Sequence, residues 1–230
     1  MSRHKCRKVS YMLVITMASR KGGVGKSSCA RSLAVEGLID GLRTAIIDAD
    51  PQGTVLAWAR RREAKAPAVY ALDGTTLEVR LASLRAAKAD LVVIDTPPSV
   101  HPIIGMAAQV SNLVLVITGP YPDDLSAIGS TVQIAKGQGR GGGIILNRTP
   151  SKSSALQLAR GALAVFDLPI CPTSIVQRVA HPYSSSEGMT AQEWEPGGTA
   201  AKEIEEVWRW TKRLLGIAEA KPVDALDSTS

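Results

Sequence analysis

A chain of 230 residues that is 45% apolar, 4% aromatic and 21% charged fits one α/β domain and argues against large-scale disorder. Its formal charge of +6 favours an anionic partner, nucleic acid or a lipid surface, through long-range attraction and counterion release. Cys6, Cys29 and Cys171 form neither a close pair nor a metal-ligand spacing, which excludes a disulfide framework or a zinc site and fits a reducing cytoplasm.

The basic start, Met1 to Lys8, runs into Tyr11–Met17, which is too short and mixed for a signal peptide and leads straight into a glycine-rich loop. No stretch approaches the roughly 20 apolar residues needed to span a bilayer, so integral membrane association is not expected. Residues 1–11 read as a basic extension, 12–216 as one domain and 217–230 as a frayed tail. Apolar strands are predicted at Leu13–Ala18, Thr44–Asp48, Asp90–Asp95, Leu113–Thr118 and Gly143–Asn147, with a shorter one at Val69–Leu72 and another near Leu168–Cys171. Helices are predicted at Lys26–Gly37, Gly53–Ala64, Leu77–Ala87, Pro102–Ser111, Asp124–Lys136, Ser153–Phe166 and Ala200–Leu215. Ser153 caps a start, Gly37 and Gly137 suit helix ends, and Pro67 and Pro169 fall in connections. The alternation predicts an α/β fold, a mostly parallel twisted sheet of about seven or eight strands with helices on both faces, and the glycine-rich loop after the first strand makes it one of the P-loop NTPase kind.

Between the first strand and the first helix, Gly22, Gly23, Val24 and Gly25 let the backbone wrap a phosphate, with amide groups aimed at the anion. Lys26 then reaches the β and γ phosphates of ATP and the Ser27 hydroxyl binds Mg²⁺, with Ser28 following in the helix. Two carboxylate clusters follow strands: Asp48-Ala49-Asp50-Pro51-Gln52-Gly53 and Val92-Val93-Ile94-Asp95-Thr96-Pro97-Pro98. Asp95 is placed beside the Mg²⁺, and Thr96 to Ser99 beside the γ-phosphate.

The usual loop begins with a glycine where this chain has Arg20, and Lys21 comes next. Lys21-Gly-Gly-Val-Gly-Lys26-Ser27 resembles the deviant Walker A loop of the ParA/MinD family of ATPases, and the likeness runs from about Leu13 to Leu215. The resemblance implies slow ATP hydrolysis, stimulated by a partner, with ATP and Mg²⁺ as cofactors. It implies that Lys21 crosses to the ATP of a second subunit in a sandwich homodimer, a second cation offsetting the charge of two facing triphosphates. It further implies that Asp50 orients the attacking water, that Asp48 helps hold the magnesium shell, and that Asn147, with Arg148, reads adenine while Pro172 and Thr173 line the base. Plain loop capping is the alternative for these last positions. Lys21, Lys26, Asp50 and Asp95 are thus the candidate catalytic residues.

Gly119-Pro120-Tyr121-Pro122-Asp123-Asp124-Leu125-Ser126-Ala127, Gln177-Arg178 and Ala200-Ala201-Lys202-Glu203-Ile204 resemble short plasmid-partition members of the ParF type. The function implied is DNA segregation: an ATP dimer binds DNA without sequence preference, near the nucleoid in the cytoplasm, and a centromere-binding ParB-like or ribbon-helix-helix protein releases it. Arg178, Arg209, Lys212 and Arg213 are the candidate phosphate-contacting face, against the alternative of a solvated helix exterior. Trp208 and Trp210 are not expected to share one face, so one packs inward and the other is exposed. The alternatives are a ParA-like positioning ATPase for a protein cargo or conjugation machinery, and a MinD-like membrane switch. The second lacks support in a tail that carries Pro222, Asp224 and Asp227 and has no apolar face.

Overall fold

The computed structural model describes residues 11–72, 74–98, 102–137, 141–151 and 154–217. In chain order the elements are β1 (Leu13–Ala18), α1 (Lys26–Ile39), β2 (Thr44–Asp48), α2 (Thr54–Arg61), β3 (Ala68–Ala71), α3 (Leu77–Ala86), β4 (Leu91–Asp95), α4 (Pro102–Val110) and β5 (Leu113–Thr118). There follow α5 (Pro122–Ser126), α6 (Gly129–Gly137), β6 (Gly142–Leu146), α7 (Ser154–Ala164), α8 (Ala180–Ser186), α9 (Ala191–Trp194) and α10 (Thr199–Leu214). The strands form one parallel sheet in the order β3-β2-β4-β1-β5-β6. Because β1 lies between β4 and β5, the chain reverses its winding there, and a crevice opens beyond the carboxyl ends of these strands.

Every residue of β1, β2, β4, β5 and β6 is buried, which is why these strands read as unbroken apolar runs. On one side of the sheet Leu33, Val55, Trp58, Ile204 and Trp208 pack on Ile15, Ile46 and Val93. On the other, residues of α4, α6 and α7 cover Val114, Val116 and Ile144, and residues of α3 cover Val14, Ile47 and Val92. Cys29 and Cys171 are free, buried thiols pushed up by desolvation to about 12 and about 11, so neither is a nucleophile at neutral pH.

Several sequence expectations change. The described sheet has six strands, because Leu168–Cys171 contributes only one bridge, Ile144 to Ile170, in a segment flanked by Pro169 and Pro172 that lack amide donors. The helix expected at Asp124–Lys136 is two helices, since Pro122 starts α5 early and the chain breaks at Ala127-Ile128. α8 and α9 were not foreseen; their polar run Ala-His-Pro-Tyr-Ser-Ser-Ser has little apolar periodicity, and α9 rests on a Thr190–Glu193 capping box. Gly37 does not end α1. It lies within the helix, where a Cβ would come within 2.6 Å of Leu91, so the glycine lets the helix lie close on the sheet.

Both tryptophans of α10 are buried, at 1% and 6% exposure, which corrects the expectation that one is free. α10 lies in a groove, so its two sides both find cover. Trp208 donates its indole N–H to Asp40 at 2.7 Å, and Trp210 fills the space that a side chain at Gly143 would need. The expected capping role of Ser153, the place of Ser99, the basic extension before Tyr11 and the tail from Ala218 lie outside the described residues.

Candidate nucleotide site

β1 delivers the chain to the loop at the crevice, and α1 leaves it at Lys26. Gly23 and Gly25 take φ of 79° and 91°, and a Cβ on Gly25 would lie 2.2 Å from Asn147 Nδ2, so neither geometry nor space admits a side chain there. Asn147 and Arg148, at the exit of β6, hold the loop from behind. Asn147 Nδ2 donates to the Val24 carbonyl at 2.7 Å, and the Arg148 guanidinium donates to the Gly23 carbonyl. One N–H of the Asn147 amide is thereby engaged on the loop.

Lys26 is only 6% exposed; burial pulls its ammonium below the ordinary value, opposed by the charges of Asp95 and Asp50. Asp95, at the end of β4, is fully buried, and neither carboxylate oxygen has a hydrogen-bond partner in good geometry among the described residues. Burial lifts its pKa to about 7; the nearby Ser27 hydroxyl and then Lys26 restrain the rise, while Asp48 and Asp50 add to it. An unpaired buried carboxylate beside a serine hydroxyl is what a cation would relieve. Ser27 and Asp95 therefore fit Mg²⁺, which usually retains waters and shares phosphate oxygens. The described residues contain no group of three or more His, Cys, Asp or Glu that could hold a metal ion. When bound, Mg²⁺ would polarise the phosphoryl oxygens.

Asp48 is committed elsewhere first. Its Oδ2 accepts from the amides of Val55 and Leu56, both at 2.9 Å, and Oδ1 accepts from the Asp50 amide at 3.2 Å. The N-cap of α2 is Gly53, which has no side chain, so Asp48 supplies the missing acceptor. Burial raises its pKa and these amides oppose the rise. Asp50 accepts from the Gln52 amide at 3.0 Å and lies near enough for its charge to act on both Lys26 and Asp95.

A cavity of about 410 Å³ adjoins the loop. Gly25, Ser28, Asn147, Gln177, Arg178 and His181 are among its lining. The strip 176–178 is held by Thr149, whose carbonyl accepts from Gln177, and by Glu203 on α10, which takes the Val176 amide at 3.2 Å and the Arg178 guanidinium at 2.6 Å. Burial pulls the His181 imidazole below its ordinary value, so it is neutral near pH 7. Sequence reasoning missed Val176, Gln177 and His181 as wall residues; the only signal was the Gln177-Arg178 likeness, which carried no geometry. Pro172 and Thr173 do not line this cavity. The Pro172 carbonyl accepts from Arg160 at 2.7 Å and the Thr173 hydroxyl donates to Glu206 at 2.6 Å, so both face helices α7 and α10.

The four candidate DNA-contacting cations do not form one exposed face. Arg178 belongs to the cavity wall, and Lys212 turns inward to Asp40 at 2.7 Å over the Trp208 ring. Arg209 and Arg213 remain on the outer stripe of α10 with Lys202, and Arg209 pairs with Glu205 one turn back. Lys21 pairs with Asp124, at 2.6 Å.

Residues 15–191 match the family model described as the CobQ/CobB/MinD/ParA nucleotide binding domain. The maintenance of carboxysome distribution protein A of Gloeobacter kilaueensis is 31% identical over 204 residues, covering 87% of this chain and 92% of that protein. Its namesake in Halothiobacillus neapolitanus is 26% identical over 204 residues, covering 84% and 93%. Among solved structures, MinD of Pyrococcus horikoshii with Mg-ADP superposes with a TM-score of 0.72 at 22% identity, over 92% of this chain and 100% of that one. An ATP complex of Cyanothece McdA gives 0.68 at 19%, over 93% and 100%. The phosphate loop, the buried carboxylate that faces it and the matched family model together place this chain in the CobQ/CobB/MinD/ParA nucleotide-binding family.

Proposed function

We propose that this protein is a ParA-like positioning ATPase: ATP joins two subunits, the dimer holds non-specific DNA, and a partner carried on a protein cargo stimulates hydrolysis and release. The observation that carries the reading is the junction of Lys26, Ser27 and the unpaired Asp95 behind a glycine loop that also bears Lys21. Such a site positions and polarises a triphosphate, and hydrolysis then needs only an oriented water, a task suited to Asp50. Cargo positioning is favoured over plasmid partition because the relatives that span nearly the whole chain are distribution proteins. The centromere-binding partner, ParB-like or ribbon-helix-helix, belongs to the displaced partition reading. No helix among the described residues is long and apolar enough to cross a bilayer.

ATPase activity with and without DNA and with candidate cargo adaptors tests this directly. Turnover that rises several-fold with both together supports positioning; stimulation only by a centromere-binding protein would return partition to first place. Lys21→Ala is expected to abolish the ATP-dependent dimer in sedimentation while sparing ATP binding to the monomer, and a normal dimer would contradict the role of Lys21. For DNA, Arg209→Ala with Arg213→Ala is expected to weaken binding about tenfold at moderate salt and to lower the slope of log affinity against log salt by roughly 2. An unchanged slope would remove α10 from the DNA surface.

A further inference from the structure

Both cations at the entrance to the phosphate loop are docked on the stretch that follows β5, from α5 to the start of α6. Arg20 donates to the Ser130 hydroxyl at 2.6 Å, in the first turn of α6, and Lys21 Nζ pairs with Asp124 Oδ1 at 2.6 Å. The Asp124 side chain is 11% exposed and that of Lys21 37%, so this pair is more sheltered than an ordinary surface ion pair. Asp124 gets there because residue 119 is glycine: a Cβ at Gly119 would lie 2.1 Å from Asp124 Oδ2, so the carboxylate rests directly on the bare backbone. The turn of α5 presents it, with the Asp124 and Leu125 amides both donating to the Tyr121 carbonyl, at 2.9 and 3.0 Å. The pair borders a cavity of about 270 Å³ lined by Gly22, Gly23, Tyr121 and Arg148 on the outer side of the loop.

We infer that Asp124 is a positioning residue that holds Lys21 within its own subunit, so that the trans contact of Lys21 with a second subunit's nucleotide forms only by breaking this ion pair. The inference rests on the sandwich-dimer reading above. When Lys21 leaves, a sheltered carboxylate loses its counterion, and that loss is subtracted from the free energy of association in each of two subunits. ATP is then required at a higher concentration than the phosphate contacts alone would need, which keeps the resting protein monomeric. Release of Lys21 also frees the Gly119–Ser126 segment from the loop, so this connection reports the state of the nucleotide site.

The test is Asp124→Asn, which keeps the shape and removes the charge, in the full chain with ATP and Mg²⁺ and without DNA. Sedimentation is expected to show half-dimerisation at an ATP concentration at least about threefold lower than in the wild type, with the melting temperature little changed. The Lys21→Ala/Asp124→Asn double variant is expected to form no ATP dimer at any concentration, whereas a dimer regained there would show general loosening and overturn an effect through Lys21. If Asp124→Asn does not fold, Gly119→Ala evicts the carboxylate from the opposite side and is expected to lower the ATP requirement likewise. A wild type that dimerises and a folded variant with an equal or higher requirement would overturn the assignment of Asp124 alone. Failure of wild type and variant to associate at any ATP concentration would overturn the dimer reading and this inference together.

Discussion

Asp95→Asn is expected to stabilise the nucleotide-free protein above neutral pH while reducing ATP hydrolysis at least about 100-fold. Among the described residues the carboxylate has no hydrogen-bond partner in good geometry, and burial holds its pKa at about 7 against the ordinary 3.8. Because the folded value is raised, the favourable contribution is complete below pH 3.8 and is lost as pH rises through about 7, above which a buried charge must be carried. That charge costs up to about 4 kcal/mol without a cation, which asparagine avoids. Melting at pH 5 and pH 8 checks the sign: the advantage of Asp95→Asn should widen at pH 8 and shrink or reverse when Mg²⁺ and ATP stabilise the wild type. Equal melting of the two proteins at pH 8 without nucleotide would mean that Asp95 has a partner in solution.

The other large effect is structural. Gly188→Ala is expected to cost at least about 3 kcal/mol, enough to unfold a marginal domain at physiological temperature. Gly188 has φ of 68°, and a Cβ there would lie 2.5 Å from the Cα and N of Arg62, which are backbone atoms that cannot swing aside. Around this crossing Arg62 donates to the Gly188 carbonyl at 3.0 Å and pairs with Glu193, and the Trp58 indole donates to the Met189 carbonyl at 3.0 Å. Arg31 and Arg62 lie over the Trp58 ring at 5.6 and 4.9 Å. The junction joins α2, which follows Asp48 and Asp50, to the loop that closes α8 and the cavity wall. Gly188→Ala should therefore weaken ATP binding as well as lower the denaturation midpoint. Gly197→Ala is the control, because Gly197 also has positive φ, 82°, but nothing within 4 Å of an added Cβ. Similar denaturation midpoints for the two variants would show that strain, and not the close crossing, sets the cost.

Much of the site was legible because its chemistry is local. Gly23, Gly25, Lys26 and Ser27 are consecutive or nearly so, and a loop that wraps a phosphate is built from neighbours in the chain. Asp48 and Asp95 were visible as acids ending apolar strands, while the pairing of β2 with β4 that sets Asp48 opposite Asp95 came only with the sheet order. What each carboxylate does was not legible. Asp48 caps α2 because Gly53 provides no side chain, and Asp95 is fully buried without a well-aligned hydrogen-bond partner among the described residues, and both facts depend on packing.

The sequence by itself determined the family, the parallel α/β class and the identity of the phosphate loop, since each is written in short-range patterns of glycine, charge and apolar runs. Only the tertiary structure decided the wall of the cavity beside the loop at 176–181, the inward turn of Lys212, the burial of both tryptophans and the ion pair of Lys21 with Asp124. A residue's charge does not name its partner. Glu203 reaches Arg178 and Asp40 reaches Lys212 only because α10 folds back onto the sheet beside α1, an approach of distant segments that no local spacing encodes.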